Sequence, residues 1–269
     1  MLTLKGTSML PDIKTLQKMI RDVAIEEILP RFNKIGYQLK HDGSLITEAD
    51  LMADKRINDF LSDAYPDIAF MSEEMTSEEQ ALLLANNSAV WCLDPLDGTG
   101  NFAAGVPLFA SSISLIIDGE VMLGVTYDVN RDEMFSAVKG EGAFLNGIRL
   151  HCDSPATDLK SSVALVDFKR LPKDLALKVF NDEPYRSQRN LGSTVLEIAW
   201  MSANRGQIYL HGGMQLWDCA AGSLILSEAG GYASTLEGTP ITASLTGKRS
   251  VVASPDFRLF NDWFNYLQN

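Results

Sequence analysis

The chain has 269 residues, 46 % of them hydrophobic, with 35 acidic against 23 basic side chains and a net charge of −12. That length suits one large α/β unit or two small domains sharing a core. The charge argues against a basic groove for nucleic acid or an anionic membrane surface.

No apolar run approaches the ~20 residues of a membrane span. The N-terminal segment MLTLKGTSML has neither the apolar core nor the small-residue cleavage site of a signal peptide. Cys92, Cys152 and Cys219 are odd in number and lack zinc or redox spacing, which reads as reduced thiols in a cytoplasmic protein.

In chain order, Ile13, Leu16, Ile20, Val23, Ala24 and Ile28 recur at helical spacing, predicting a helix from Asp12 to about Phe32 with Pro30 as its stop. Thr47-Glu48-Ala49-Asp50 opens a second helix as a capping-box variant, with Ile57, Phe60 and Leu61 on its apolar face. An acidic stretch follows, carrying Glu73, Glu74, Glu78 and Glu79. Val90 to Leu93 reads as a short strand running into a loop from Asp94 to Phe102. From Ser111 to Leu150 the turn signals Asp118-Gly119, Gly140-Glu141-Gly142 and Asn146-Gly147 divide apolar runs, predicting an antiparallel meander.

The second half alternates. Strands are expected at Val163–Val166, Gln207–Leu210 and Val251–Ala253. Helices are expected at Ser193–Ala203, with Val195, Leu196 and Ala199 inward, at Asp218–Ala229, closed by Gly230, and at Asp256–Leu267. Two subdomains, 1–145 and 146–269, fit better than two independent domains.

Four segments carry chemistry. In Asp94-Pro95-Leu96-Asp97-Gly98-Thr99, two carboxylates lie three residues apart behind an apolar strand. Pro95 fixes the backbone, Gly98 lets it approach a ligand, and Thr99 can cap a helix whose free N–H groups face a phosphate. A polar turn with an aspartate cap explains the same residues equally well. In Trp217-Asp218-Cys219-Ala220-Ala221-Gly222, small residues open a helix with Asp218 at its N-cap. Glu73-Glu74 alone reads as a solvated acidic loop, and Asp50 alone as the capping partner of Thr47. A haloacid-dehalogenase loop is excluded, because the position of its nucleophile, two residues before Asp97, is Pro95. A calcium loop is poor, because no ladder of Asp or Asn at alternate positions follows.

Together these segments, with Ser44 to Asp50, Gly142 to Gly147 and Glu228 to Gly231, closely resemble the inositol monophosphatase family within the fructose-1,6-bisphosphatase-like phosphatases. The resemblance spans nearly the whole chain. It implies an α/β (α+β) fold, a layered α-β-α-β-α sandwich. It implies a Mg²⁺-dependent phosphatase with two to three ions per site, acting on a small phosphate monoester such as inositol 1-phosphate. Two such ions activate water and stabilise the leaving alkoxide, and none of the three histidines has to act.

By the same resemblance, Glu73 looks like the ligand of the first and third metals, with Glu74 as the fallback. Asp94 would bridge the first two, the Leu96 carbonyl would complete the first site, and Asp97 and Asp218 would hold the second. Thr99 paired with Asp50 resembles the dyad that takes a proton from the attacking water. The N–H groups of Gly98 and Thr99 would hold the phosphate, and Thr194 would line the alcohol side. A homodimer and sensitivity to lithium are also implied.

The match departs at one place. Inositol-specific members carry an acid seven positions before the aspartate of the W-D-x-A-A-G segment; here that position is His211, in what reads as a pliant loop with Gly212 and Gly213. His211 is expected to face the substrate, and the alternative is an exposed loop histidine. Histidinol phosphate, fructose 1,6-bisphosphate and 3′-phosphoadenosine 5′-phosphate stay open as substrates. A non-catalytic binding protein on the phosphatase fold stays open as a different class.

Overall fold

The computed structural model describes residues 10–34, 36–40, 43, 45–153, 156, 158–241 and 247–269. The N-terminal stretch read for a signal peptide, up to residue 9, and Ser44 of the 44–50 motif lie outside the described residues.

Asp12 caps α1 (Ile13–Val23) by accepting from the Lys14 and Thr15 N–H groups. The helix does not continue evenly to Phe32. It widens into a π-helical stretch, Ala24–Ile28, and tightens into a 3-10 turn, Leu29–Arg31. Pro30 has no N–H to give to a further α-helical turn, so it ends the run as predicted. A small antiparallel hairpin follows, β1 (Tyr37–Leu39) with β2 (Leu45–Thr47). Thr47 and Asp50 then form the expected capping box of α2 (Glu48–Ala64), which buries Ile57 and Leu61.

The strand β3 (Ala69–Ser72) leads directly to Glu73 and Glu74. The acidic stretch behind it is a helix rather than loop throughout. Thr76 and Glu79 make a second capping box that opens α3 (Ser77–Asn86). The next strand, β4 (Ala89–Asp97), is longer than predicted and runs through the Asp-Pro-Leu-Asp segment. A register shift between Asp94 and Asp97 accommodates Pro95, since a bulge leaves its missing N–H outside the ladder.

The short helix α4 (Thr99–Ala104) precedes the meander: β5 (Ala110–Ile117), β6 (Glu120–Asp128), β7 (Glu133–Val138), β8 (Gly142–Leu145) and β9 (Ile148–Arg149). Each pairs antiparallel with the one before it. Asp118-Gly119 and Asn146-Gly147 take positive φ at both residues, as tight hairpin turns require. Strands β3 to β9 form one seven-stranded sheet in sequence order.

After Arg149 the chain builds a second sheet. Its strands are β10 (Val163–Asp167), β11 (Ser187–Arg189), β12 (Ile208–Met214), β13 (Tyr232–Ser234) and β14 (Arg249–Ser254), in the order β11-β10-β12-β14-β13. The helices of this half are α5 (Lys173–Asp182), α6 (Thr194–Ser202), α7 (Leu216–Glu228) and α8 (Phe257–Gln268). Helices α1 and α2 cover one face of the seven-stranded sheet. Helices α6 and α7 lie between the sheets, and α8 covers the far face of the second. This is the layered α-β-α-β-α sandwich.

The pliant loop expected around Gly212-Gly213 is instead part of β12. A Cβ at Gly212 would sit 2.0 Å from the Arg170 carbonyl oxygen. Glycine is there for close approach of backbone to backbone, not for freedom. Gly212→Ala should therefore destabilise the protein by about 3 kcal/mol or more, because backbone cannot yield as a side-chain tip can. Denaturant midpoints decide it: a loss below about 1 kcal/mol would mean that the two segments separate easily.

Candidate active site

Strand β4 carries Asp94 and Asp97 from the seven-stranded sheet, and the first turn of α7 brings Asp218 to meet them. One oxygen from each carboxylate lies within 4.8 Å of the other two. Asp94 is 1 % exposed. Its Oδ1 accepts the Leu96 N–H at 3.1 Å, while Oδ2 is enclosed with no hydrogen-bond partner among the described residues. Asp97 is held by the Ser193 hydroxyl at 2.5 Å, the Val195 N–H at 2.8 Å and the Thr194 hydroxyl at 3.3 Å. Asp218 accepts the Gln215 N–H at 2.7 Å.

Burial, then the charges of Glu73, Asp97 and Asp218, push the Asp94 carboxyl well above the usual range. Burial and then Asp97 push Asp218 up to about 8. Burial raises Asp97 to about 6 against the opposing hydrogen bonds from Ser193 and Val195. Three carboxylates converging without a cation are a cluster of like charges. An all-oxygen set with an unpartnered buried oxygen fits a hard divalent cation of the Mg²⁺ type.

Two cap assignments are corrected here. Asp218 is the third residue of α7 rather than its N-cap; Gln215 is the cap, and Asp218 reaches back to its N–H as in a capping box. Thr99 is the first residue of α4 rather than its cap, a place taken by Gly98 at φ 88°. A Cβ at Gly98 would lie 2.9 Å from the Leu108 oxygen, so this left-handed position also demands glycine. The Thr99 hydroxyl is thereby free to face Asp50 Oδ1 at 3.1 Å and the Leu96 carbonyl at 3.0 Å. The Thr99–Asp50 pairing is present. Asp50 is held from behind by the Thr47 N–H and hydroxyl, and burial raises its carboxyl above the usual range despite them.

Glu73 lies close enough to raise Asp94 but is outside the triad. Lys40, just past β1, holds it instead. Its ammonium is 3.1 Å from Glu73 and 2.9 Å from Glu74. Burial works against that charge, but the two carboxylates outweigh it and lift Lys40 to about 12. Burial raises Glu74 to about 7, although Lys40 opposes the rise.

His211 is neither in a loop nor exposed. It is 0 % exposed within β12, where its Nδ1 accepts the Gly213 N–H at 3.2 Å. Its Nε2 faces Asp167 Oδ2 at 3.4 Å. The order of the strands explains this: β10 and β12 run parallel, with Asp167 and His211 in register.

Sequence reasoning missed Lys40, Ser193, Glu197 and Asp167. Ser193 was visible only as the start of a helix, which it is, since its hydroxyl also accepts the Leu196 N–H. Nothing local marks Lys40, because its partners lie far along the chain, and nothing local pairs Asp167 with His211, some forty residues on.

The model of the inositol monophosphatase family matches residues 10–264. The chain belongs to this family. Among relatives, the Nus factor SuhB of Haemophilus influenzae is 36 % identical over 69 % of this chain and 70 % of its own. The pig (Sus scrofa) protein inositol monophosphatase 1 is 28 % identical over 82 % of each chain. Among solved structures, a Thermotoga maritima IMPase aligns with a TM-score of 0.82 at 27 % identity, covering 95 % of this chain and 96 % of that one.

Within this family member, Glu197 of α6 lies buried behind Asp97. It accepts the Leu191 N–H at 2.7 Å and the Tyr209 hydroxyl at 3.1 Å. Burial, the larger influence, raises its carboxyl to about 7. A folded-state pKa above the unfolded one means that the folded chain binds the proton more tightly. The contribution of Glu197 to stability is therefore lost as pH rises from about 4.5 to about 7, by on the order of 3 kcal/mol. Glu197→Gln removes this dependence while keeping an acceptor for Leu191. Denaturant titrations at pH 5 and pH 8 should show a smaller loss in the variant; an equal loss would place the titrating group elsewhere.

Proposed function

We propose that this chain is a Mg²⁺-dependent phosphatase that hydrolyses a small polyol phosphate monoester, inositol 1-phosphate or a close relative. The observation that carries this reading is the buried Asp94–Asp97–Asp218 triad with the unpartnered Asp94 Oδ2. Family membership and the name of the pig relative support the reaction class and the substrate.

Asp94, Asp97, Asp218, the Leu96 carbonyl and, once released by Lys40, Glu73 would hold the ions. Bound there, the metal supplies Lewis-acid stabilisation of charge on the phosphoryl and leaving oxygens. The chain's own groups do the rest. Asp50 accepts from the Thr99 hydroxyl, so Thr99 can take a proton from an incoming water and pass its own to Asp50. Thr47 keeps Asp50 oriented for that transfer. On this reading the Gly98 and Thr99 N–H groups, at the start of α4, would hold the phosphate, and Thr194 would line the alcohol side. A homodimer and inhibition by lithium belong to the same reading.

The test is phosphate release from inositol 1-phosphate, fructose 1,6-bisphosphate, histidinol phosphate and 3′-phosphoadenosine 5′-phosphate with Mg²⁺. The highest kcat/KM is expected for inositol 1-phosphate. A clear preference for another of the four would move the substrate and leave the chemistry. The Nus-factor name of the bacterial relative favours a second reading, a binding role on the same fold. No release from any of the four would favour that one.

A further inference from the structure

We infer that Asp167 is the side chain that reads the hydroxyl groups of the substrate, and that His211 is the residue that positions it. This rests on the phosphatase reading and deepens it, by assigning the alcohol side of the site.

Asp167 ends β10, and His211 lies beside it on β12, in parallel register. Ligands of open α/β sheets bind at this end, beyond the carboxyl ends of parallel strands. The turn after β10, Phe168–Arg170, ties the position to the triad through Arg170. The backbone after His211 runs through Gly213, whose carbonyl lies 3.4 Å from Arg170 Nη1, to Gln215, the partner of Asp218.

The hydrogen-bond pattern assigns the two roles. Gly213 N–H donates to His211 Nδ1, so the neutral ring carries its hydrogen on Nε2. That nitrogen is enclosed and has no finished hydrogen bond, but it is aimed at Asp167 Oδ2, 3.4 Å away. The ring lies parallel to that of Tyr209, 3° between planes, and Tyr209 is anchored to Glu197. His211 is thus fixed in place and shut off from any ligand. It can act only through its neighbour.

Asp167 differs in the respect that matters, because its side chain is 16 % exposed. Oδ1 accepts the Lys169 N–H at 2.9 Å. Oδ2 lies between His211 Nε2 and Arg170 Nε, the latter at 3.6 Å. A carboxylate has about four lone-pair sites, and these contacts leave room to accept from a hydroxyl. The Lys169 N–H, His211 Nε2 and Arg170 Nε together fix the orientation of this carboxylate. Its preferred ligand is a vicinal diol or polyol, neutral apart from its ester.

The test compares inositol 1-phosphate with p-nitrophenyl phosphate, which has no alcohol hydroxyl, in the full-length protein with Mg²⁺. Asp167→Asn keeps the Lys169 contact and should lower the ratio of the two kcat/KM values about 10-fold, through KM for the polyol ester. His211→Gln retains a donor of similar reach and should keep most of the ratio, whereas His211→Phe fills the space without a donor and should lose it. Asp167 is partly exposed, so its variant decides the matter even if His211→Phe fails to fold. Equal losses on both esters, or an unchanged ratio in Asp167→Asn, would overturn the assignment. A wild-type protein that releases phosphate from neither ester removes the phosphatase reading itself, and the assignment with it.

Discussion

Asp94→Asn should lower kcat by at least about 10²-fold and at the same time raise the melting temperature of the chelator-treated protein. The first effect follows from the proposed metal site. Removing one charge from the most enclosed ligand weakens an interaction that contributes several kcal/mol to the transition state. The second follows from the repulsion within the triad. Without a cation, Asp94 must either keep its charge beside Glu73, Asp97 and Asp218 or take up a proton, and each alternative costs stability above about pH 4. An amide is free of that conflict, so the gain grows with pH. Chelation of the wild type should abolish phosphate release and reproduce the first effect without the second. Two outcomes would count against the site: full turnover in Asp94→Asn, or a variant less stable than wild type in excess chelator at pH 8.

Thr99→Ala should lower kcat by about 10²-fold or more, the usual contribution of a positioned general base. Thr99 is bonded both to Asp50 and to the Leu96 carbonyl, so the loss has two parts: the proton path and the set of the metal loop. Thr99→Ser keeps the hydroxyl and should retain most of the rate. Asp50→Asn keeps the shape and removes the final acceptor, so it should resemble Thr99→Ala in kcat and leave KM nearly unchanged. If Thr99→Ala costs less than about threefold, water is activated without this dyad. If Thr99→Ser is as poor as Thr99→Ala, packing of the methyl group matters more than the hydroxyl.

Much of this site could be read from the chain because its parts are local. Asp94, Asp97, Gly98 and Thr99 fall within six consecutive residues, and Thr47 with Asp50 is a capping box whichever fold surrounds it. The layered fold followed from the family resemblance, and the meander from its turn residues. Local reading failed where a side chain has a choice of partners. Asp218 could cap its helix or reach back from the third position, and only Gln215 decides. Gly212 and Gly213 read as slack, but at Gly212 the requirement for glycine comes from Arg170 some forty residues away. Lys40 was overlooked for the same reason: its meaning lies in Glu73 and Glu74, which a distant strand delivers.

Asp97 leaves the first sheet and is fastened by Ser193, Thr194 and Val195 at the start of a helix from the second half of the chain. The carboxylate cluster is therefore assembled from both halves of the chain, and neither half alone contains it. A frameshift between residues 150 and 190 removes both the clasp of Asp97 and Asp218 in one event. On the proposed phosphatase reading, turnover should report complete assembly, and reuniting two separately made halves should recover activity from none.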